Sequence, residues 1–340
     1  MRIIYGIAGE GLGHATRSKV VIEHLEKRHE VIIFCGGAAY QFLKGKLNVK
    51  HIECFRIKFK NFKLNKISTL LQGIVQFPHM LKYNTKLNLI IRDFNPDLII
   101  TDFEPFTAYL AKLHNIPLIS IDNQRLLTNT NVNTENIFDR IIKVIGIYVY
   151  IPRPDYSIIT TFFYPKIKSR NTFLVPPILR KNILKIKKSS KNHILVYLSI
   201  RDVRYMKLLN KLNESFIVYG LNKNYKKGNL VLKKSNEKSF INDLASSKAV
   251  ITNAGASTIG EALYFKKPIL AIPIENHFEQ IINAQYVEKE GYGKYSKILN
   301  EDELLYFLKN QKKYNNNLKK YKAQNNDKLF KLVDKIISKL

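Results

Sequence analysis

The sequence predicts an α/β protein built from two doubly wound parallel-sheet domains. Short apolar, strand-like runs alternate with amphipathic helical segments, which is typical of parallel sheets covered by helices on both faces. The alternation occurs in two series, separated by a proline-containing and then lysine-rich stretch. A chain of 340 residues is long enough for each series to bury a core of its own.

The two series of strand-like runs set the expected order of elements. The first series comprises 2–8, 30–36, 49–54, 97–102, 117–122 and 156–161. Helical spacing of apolar residues lies between these runs, at 13–28, 66–93 and 104–114. The second series comprises 193–199, 215–220, 229–232, 249–255 and 268–273.

A polar stretch between the series predicts the domain boundary. In 175–192, paired prolines give way to lysines without clear periodicity. We therefore expect a first domain at 1–178, a linker at 179–192 and a second domain at 193–313. The tail at 314–340 is rich in lysine and carries apolar residues at helical intervals, which indicates a basic amphipathic helix. We expect this helix to pack on the first domain, with contact to a membrane surface as the alternative.

The charge and cysteine content limit the classes of partner. The net charge of +29 predicts attraction to an anionic partner: nucleic acid, an acidic membrane face or a phosphorylated small molecule. A coding bias towards lysine is an alternative source of part of this surplus. No nucleic-acid-binding motif is found, so a specific nucleic-acid partner is not expected. Cys35 and Cys54 lack metal-ligand spacing, which favours a reducing compartment over a disulfide framework.

The N-terminal residues and the hydropathy pattern bear on location. "MRIIYGIAGEGLGH" turns glycine-rich after a very short apolar run, which is not typical of a signal peptide. No uninterrupted apolar stretch of about twenty residues is found. We therefore expect a cytoplasmic protein, with the positive charge favouring a peripheral position on the inner membrane face.

A glycine-rich loop, "GIAGEGLGHATR" at 6–17, follows the first strand and opens the first helix. In a doubly wound sheet this turn lies at the carboxyl edge, where ligands bind. The second strand ends in "IIFCGG" without the acidic residue that a nicotinamide ribose requires, which argues against hydride transfer. His14 lies at the start of the helix and is a candidate general base. A surface or capping histidine is the alternative.

The motif "TDFEPF" at 101–106 brings two carboxylates to the end of a later strand of the same sheet. Asp102 could orient His14 and stabilise its protonated form, as in catalytic triads. Glu104 is a second candidate catalytic carboxylate at this edge of the sheet. The alternative is helix capping, with Asp102 at the N-cap and Pro105 in the first turn.

A second small-residue turn, "TNAGASTIGEAL" at 252–263, follows a strand of the second series. Backbone N–H groups and hydroxyls at such a helix start form a seat for a phosphate. Glu261 lies one turn further along the same helix face, where it could accept two hydrogen bonds from a ribose diol. The alternative is a capping box in which Ser257 or Thr258 pairs with Glu261.

The segment 252–293, "TNAGASTIGEALYFKKPILAIPIENHFEQIINAQYVEKEGYG", resembles the donor-nucleotide box of GT-B glycosyltransferases. It is similar both to the UDP-glucuronosyl and plant UDP-sugar transferases and to the bacterial N-acetylglucosaminyltransferase that completes the peptidoglycan lipid precursor. "GEGLGHATR" and "TDFEP" also resemble an archaeal and bacterial branch of this superfamily. The resemblance implies a GT-B fold, with two Rossmann-like domains facing across a cleft.

The resemblance also implies roles for individual residues. Glu261 corresponds to the ribose-binding glutamate, the backbone of 255–258 to the diphosphate seat, and His14 to the acceptor-activating base. Glu279 and Gln280 correspond to the pair that binds the donor sugar hydroxyls. The expected catalytic residues are His14, Asp102 and Glu104. The expected donor-binding residues are Gly13, Arg201, Asn253, Gly255, Ala256, Ser257, Thr258, Glu261, Glu279, Gln280 and Asn283.

The sequence departs from the plant-type box in two places. Asn253 stands where that box has a phosphate-binding histidine, and the tryptophan that stacks near the nucleobase has no counterpart, because the chain lacks tryptophan. The nucleobase of the donor is therefore not determined by these residues, and family frequency favours uracil.

The expected function is an inverting, metal-independent glycosyltransferase. It would use a nucleotide-sugar donor, no metal and no further cofactor, and an unknown acceptor, with a lipid-linked hydroxyl as one candidate. Segments 55–85 and 123–150 would frame the acceptor. A UDP-N-acetylglucosamine 2-epimerase-like enzyme and a nucleic-acid-binding protein are the alternatives.

Overall fold

The computed structural model describes residues 1–9, 11–54, 59–60, 63–64, 88–132, 137–189, 191–198 and 203–340. The chain divides into two compact units. The first contains most of the described residues up to Ile178 together with Asn326–Leu340, and the second contains Leu179–Asn325 together with Lys63 and Leu64. Each unit has a parallel sheet, as the alternating pattern predicts.

The first unit is organised around a sheet whose seven described strands run in the order β3-β2-β1-β6-β7-β8-β9. All neighbouring strands in it are parallel. The strands up to Val175 are β1 Arg2–Ile7, β2 Glu30–Cys35, β3 Val49–His51, β4 Phe59–Lys60, β5 Lys63–Leu64, β6 Leu98–Asp102, β7 Leu118–Asp122, β8 Tyr156–Thr160 and β9 Thr172–Val175. The helices are α1 Leu12–Leu25, α2 Gly37–Leu43, α3 Asn88–Phe94, α4 Pro105–Leu113, α5 Leu126–Asn129 and α6 Ile137–Tyr150.

Strand β1 is buried on both faces, as expected for a central parallel strand. Ile3, Tyr5 and Ile7 belong to one apolar cluster, and Ile4 belongs to another on the opposite face. The register pairs Ile7 with Asp102, so the last residue of β6 lies beside the end of β1 and the glycine-rich loop.

The second unit contains a sheet whose seven described strands run in the order β12-β13-β11-β10-β14-β15-β16. Only the edge strand β12 is antiparallel to its neighbour. The strands are β10 His193–Tyr197, β11 Ser215–Tyr219, β12 Tyr225–Lys227, β13 Leu230–Leu232, β14 Ala249–Thr252, β15 Ile269–Ala271 and β16 Gly293–Tyr295. The helices are α7 Lys181–Lys185, α8 Val203–Lys211, α9 Glu237–Ser246, α10 Ala256–Tyr264, α11 Phe278–Lys289, α12 Glu301–Lys309 and α13 Gln311–Lys320.

The tail differs from the single helix expected at 314–340. Helix α13 ends at Lys320, residues 321–326 are not helical, and a further helix, α14, spans Asp327–Ile337. The break falls in "YKAQNN", where the paired asparagines have low helix propensity. Helix α14 groups with the first unit. Its apolar residues lie in the same core cluster as β1 and are Leu329, Val333, Ile336 and Ile337.

Candidate active site

The first group of candidate residues lies where the glycine-rich loop enters α1. Gly11 has a φ of 72°, a left-handed conformation that favours glycine, and it precedes the first helical residue, Leu12. His14 therefore falls in the first turn of α1. Its Nδ1 atom lies 2.9 Å from Oδ1 of Asp102, the last residue of β6. The loop and the strand register together bring these two side chains into contact.

Asp102 is fully buried and accepts several hydrogen bonds. Arg17 Nε donates to its Oδ2 at 2.7 Å, Ser18 Oγ donates to the same oxygen at 2.9 Å, and Arg17 Nη2 donates to Oδ1. Burial alone would raise the pKa of Asp102, but the charges of Arg17 and His14 and their hydrogen bonds hold it well below its ordinary value. Asp102 is therefore a carboxylate at neutral pH.

The tautomer of His14 follows from its two neighbours. Arg17 Nη2 lies 2.9 Å from the same Nδ1 atom that contacts Asp102. Nδ1 can either accept from Arg17 or donate to Asp102, and the bond to a carboxylate is the stronger of the two. We therefore assign the Nδ1 proton to the Asp102 contact, which leaves the lone pair of the imidazole on Nε2. This is the arrangement of a histidine that can accept a proton from an acceptor hydroxyl.

Glu104 lies next to this network in the sequence but caps α4. Its oxygens accept from Phe106 N at 2.8 Å, from Thr107 N at 2.7 Å and from Thr107 Oγ1 at 2.6 Å. The residue is 1% exposed, and burial raises its pKa to about 7 against these hydrogen bonds. The capping residue is thus Glu104, followed by Pro105, and not Asp102. Both oxygens of Glu104 are engaged in this cap.

The second group of candidate residues lies at the start of α10 in the second unit. Strand β14 ends at Thr252, and Ala254 has a φ of 61° before Gly255 begins the helix as its N-cap. Among the described residues, no side chain caps this helix start. A left-handed residue followed by an uncapped helix start presents backbone N–H groups in the manner of an anion-binding nest.

Asparagine side chains hold this turn in place. Asn283 Nδ2, on α11, donates to Ala254 O at 3.1 Å, and Asn253 Nδ2 donates to Ile272 O at 2.8 Å. Asn283 Oδ1 is buried and has no hydrogen-bond partner within the described part of the chain. Asn253 and Asn283 were expected to bind the donor. In the structure, Asn283 contacts the turn before α10, and Asn253 contacts the backbone just after β15.

The other predicted donor residues are placed as follows. Gly255, Ala256 and Ser257 are half-buried at the start of α10, and Thr258 is buried. Gln280 Oε1 accepts from Ile274 N at 2.9 Å, and Glu279 lies half-buried in the first turn of α11. Gly13 lies in the first turn of α1, in the other unit. Arg201 lies outside the described residues. Most of the predicted helix at 66–93 and most of the expected acceptor segment 55–85 also lie outside them.

Glu261 is buried and paired with an arginine that the sequence did not single out. Arg180 Nε donates to Oε1 and Arg180 Nη2 donates to Oε2, both at 2.6 Å. Burial raises the pKa of Glu261, and the guanidinium of Arg180 opposes that rise. The bonds of the Glu261 carboxylate therefore differ from those of a capping box with Ser257 or Thr258.

Arg180 was missed because it is 81 residues from Glu261 and falls in the expected linker. A signal was present, since Arg180 is the one arginine in 179–192, where the other basic residues are lysines. A two-point contact with a carboxylate requires the planar fork of arginine.

Two further observations concern metals and membranes. Among the described residues, no group of three or more His, Cys, Asp or Glu side chains is arranged to hold a metal ion. In the same part of the chain, none of the helices combines the length and the apolar character needed to cross a bilayer.

The fold agrees with comparisons to known proteins. The sequence model of glycosyl transferase family 1 matches residues 1–311. An uncharacterised glycosyltransferase of Methanosarcina acetivorans is 27% identical over 333 residues, covering 86% of this chain and 85% of that protein. The UDP-N-acetylglucosamine–N-acetylmuramyl-(pentapeptide) pyrophosphoryl-undecaprenol N-acetylglucosamine transferase of Clostridium tetani is 34% identical over 102 residues, covering 27% of this chain and 28% of that enzyme. The crystal structure of the glycosyltransferase of kitacinnamycin superposes with a TM-score of 0.72 at 14% identity, covering 98% of each chain.

The two parallel-sheet units thus form the GT-B fold of glycosyltransferases. The chain belongs to glycosyl transferase family 1 and is a glycosyltransferase. This confirms the fold class and the enzyme class that the sequence predicts.

Proposed function

We propose that the protein moves a sugar from a UDP-sugar to an acceptor hydroxyl, with inversion at the anomeric carbon and without a metal ion. The observation that carries this proposal is the uncapped start of α10, with the Glu261 carboxylate one turn further along the same helix. A nucleoside diphosphate has the matching chemistry, because its phosphates suit backbone N–H groups and its ribose diol suits a carboxylate.

The donor is assigned to the second unit. The turn at Ala254 and Gly255 would bind the diphosphate, and the amides there would stabilise the charge that develops on the leaving group. Glu279 and Gln280 would contact the sugar hydroxyls. Uridine is chosen because the relative from Clostridium tetani is named for a UDP-sugar donor.

The acceptor base is assigned to the first unit. His14 would take the proton from the acceptor hydroxyl through Nε2, while Asp102 holds the ring by Nδ1 at 2.9 Å and stabilises the imidazolium that forms. A single displacement by the activated hydroxyl inverts the anomeric centre. Arg17 and Ser18 hold Asp102, and Glu104 is assigned to the helix cap.

A thermal-shift panel of nucleotide sugars tests the donor assignment. We expect UDP-sugars to raise the melting temperature of the wild type and to have no such effect on Glu261→Ala. Asp302→Ala, an exposed residue in the first turn of α12, is the control and should respond like the wild type. A panel in which no nucleotide or nucleotide sugar stabilises the wild type would refute the proposal.

The products and the metal requirement are tested with the donor that the panel identifies. The anomeric configuration of the new bond, read by NMR, should be opposite to that of the donor, and the rate should be unchanged by EDTA. Incubation with UDP-N-acetylglucosamine alone should leave the sugar unchanged. Formation of its 2-epimer would instead support the epimerase alternative.

We also propose that the acceptor is lipid-linked and that the first unit rests on an anionic membrane. Support comes from exposed apolar side chains on two helices of this unit: Tyr109 and Leu113 on α4, and Ile141, Ile145, Tyr148 and Val149 on α6. Ile145 is 57% exposed, Val149 68% and Leu113 71%. Tyr109 Oη donates to Val149 O at 2.5 Å, which joins the exposed faces of α4 and α6. An exposed apolar helix face on a chain of charge +29 is complementary to an anionic lipid surface.

Vesicle flotation tests the membrane assignment. The wild type should float with anionic vesicles and less with neutral ones, and Ile145→Glu should lose most of this binding. Leu305→Glu, which changes an exposed apolar residue on α12, is the matched control and should float like the wild type. Equal recovery of the wild type with both kinds of vesicle would refute the assignment.

A further inference from the structure

We infer that Arg180 is a positioning residue that holds Glu261 for a ribose diol and thereby makes the enzyme prefer ribonucleotides to 2′-deoxyribonucleotides. The inference rests on the proposed function and adds to it a residue outside the donor box and a substrate preference. It is carried by the contacts of Arg180 within the second unit.

Arg180 is held in one orientation by contacts on several sides. Its Nε and Nη2 atoms bind the two oxygens of Glu261 at 2.6 Å each, and its Nη1 atom lies 3.7 Å from Glu237 Oε1. The guanidinium carbon lies 5.6 Å from the ring centre of Phe240, which packs edge-to-face against Tyr197 with ring centres 5.2 Å apart. The guanidinium is thus fixed between two carboxylates and an aromatic ring.

The buried setting makes this pairing necessary for a charged Glu261. The side chain of Glu261 is 4% exposed and that of Arg180 is 14% exposed. A carboxylate in such surroundings favours its protonated form unless a cation compensates it, and Arg180 is the cation that contacts it. A protonated carboxyl group could accept fewer hydrogen bonds than the ion, because one of its oxygens becomes a donor.

The fork of Arg180 leaves Glu261 able to accept further hydrogen bonds. An ionised carboxylate has about four lone-pair positions, and the two-point contact uses one on each oxygen. One position per oxygen therefore remains, at a spacing that is fixed because Arg180 prevents the carboxylate from rotating. Two acceptors at fixed spacing match the 2′- and 3′-hydroxyls of a ribose. A 2′-deoxyribose would leave one acceptor without its donor.

The expected size of the preference follows from a single hydrogen bond to a charged group. Such a bond contributes a factor of about ten to a hundred in affinity. We therefore expect the wild type to bind UDP about ten- to a hundredfold more tightly than dUDP. Without Arg180, Glu261 is uncompensated and free to rotate, so the ratio of the two dissociation constants should fall to about threefold or less.

Isothermal titration with UDP and dUDP tests the inference on the wild type, Arg180→Met and Arg180→Lys. Arg180→Lys keeps the charge without the fork, so its ratio should lie between those of the other two. Lys185→Met removes one charge from the exposed end of α7 and should keep the wild-type ratio. Thermal melts establish that each variant is folded before titration.

The pattern of affinities separates this role from a purely structural one. If Arg180 merely stabilised the unit, Arg180→Met would weaken UDP and dUDP by the same factor, and the unchanged ratio would overturn the inference. If Arg180 competed with the ribose for Glu261, Arg180→Met would bind UDP more tightly than the wild type, which would also overturn it. Binding of neither nucleotide by the wild type would refute the proposed function itself.

A double-mutant cycle shows whether Arg180 acts through Glu261. Glu261→Gln keeps the shape of the side chain without its charge. If Arg180 works by holding that charge, Arg180→Met should change the UDP-to-dUDP ratio much less in the Glu261→Gln protein than in the wild type. Equal changes in both backgrounds would show that Arg180 acts independently of Glu261 and would overturn the inference.

Discussion

The substitution Asp102→Asn tests the network that holds His14. It preserves the size of the side chain but replaces one acceptor oxygen by an NH₂ donor. In the native protein both oxygens accept: Oδ1 from His14 and Arg17, and Oδ2 from Arg17 and Ser18. Whichever way the amide turns, its NH₂ group faces an N–H donor of Arg17. At least one donor of the guanidinium therefore loses its partner.

The size of the effect follows from burial. Arg17 is 6% exposed and Asp102 is 0% exposed, so Asp102→Asn leaves a buried guanidinium beside a neutral group. Removing one partner of a buried ion pair costs about 3–5 kcal/mol of unfolding free energy. The native contribution depends on pH, because the pKa of Asp102 is depressed in the folded state. It is fully present above the unfolded pKa of about 3.9 and is lost as the pH falls towards the folded value.

Asp102→Asn should also slow the reaction. Neutralising the carboxylate that orients a catalytic histidine lowers the rate by about 10⁴-fold in a serine-protease triad, through the wrong tautomer. We expect a loss of about 10³- to 10⁴-fold in the rate of UDP release from the donor sugar, measured at a temperature where the variant is folded. Urea denaturation at pH 7 gives the stability.

The control for Asp102→Asn is Asp93→Asn, an exposed residue on α3 that should change the unfolding free energy by no more than about 0.5 kcal/mol. A folded Asp102→Asn protein with a rate within threefold of the wild type would refute the role assigned to His14 and Asp102. A loss of stability below about 1 kcal/mol would refute the energetic argument about the buried pair.

Three further substitutions have distinct expected outcomes. In the wild type, the unfolding free energy should fall by up to about 3 kcal/mol as the pH rises from 4.5 to 7, because the pKa of Glu104, raised to about 7, lets the folded state keep a proton that the unfolded state has lost. Glu104→Gln should abolish this fall, and urea denaturation at pH 5 and 8 measures it. Gly255→Ala should leave stability within about 0.5 kcal/mol, because its Cβ would meet no atom within 4 Å, but weaken UDP binding about tenfold in titrations by crowding the phosphate seat. Gly6→Ala should lower the unfolding free energy by about 1–3 kcal/mol in urea, because its Cβ would lie 1.9 Å from Thr107 Oγ1.

Each of these expectations has a result that contradicts it. An unchanged pH slope in Glu104→Gln would show that the pKa of Glu104 is not raised in the folded protein. Unaltered UDP affinity in Gly255→Ala would place the phosphates elsewhere. Gly146→Ala is the control for Gly6→Ala, since its Cβ would meet open space on a helix and should stabilise the protein by about 0.5–1 kcal/mol. Equal stabilities of the two variants would refute the packing argument at Gly6.

Much of the sheet architecture follows from local sequence pattern. Strands buried on both faces, such as β1 and β6, are continuous apolar runs and were predicted at nearly their observed positions. Strands β9, β12 and β16 were not predicted; β12 and β16 have only three residues each, and β12 is the exposed run Tyr225–Lys227. Short edge strands depend on their neighbours for pairing and carry little pattern of their own.

The candidate site shows the same limit for side chains. The sequence placed His14 and Asp102 at one sheet edge because parallel strands end together, and the structure has them in contact. It could not identify the partner of Glu261, because Arg180 reaches that carboxylate from a segment 81 residues away. Its capping alternative for α4 named Asp102, whereas Glu104 is the N-cap, after a left-handed residue, Phe103, with a φ of 55° that the sequence pattern did not indicate.

The placement of α14 makes the first unit discontinuous along the chain. Leu329, Val333 and Ile336 complete a core that begins at Ile3, so the apolar layer that they cover stays open during synthesis until α14 has left the ribosome. The residues of the second unit emerge in between and can reach their native packing first. Emergence of α14 from the ribosomal tunnel then becomes the event that closes the first unit, and until that moment the uncovered apolar surface is open to proteases and chaperones.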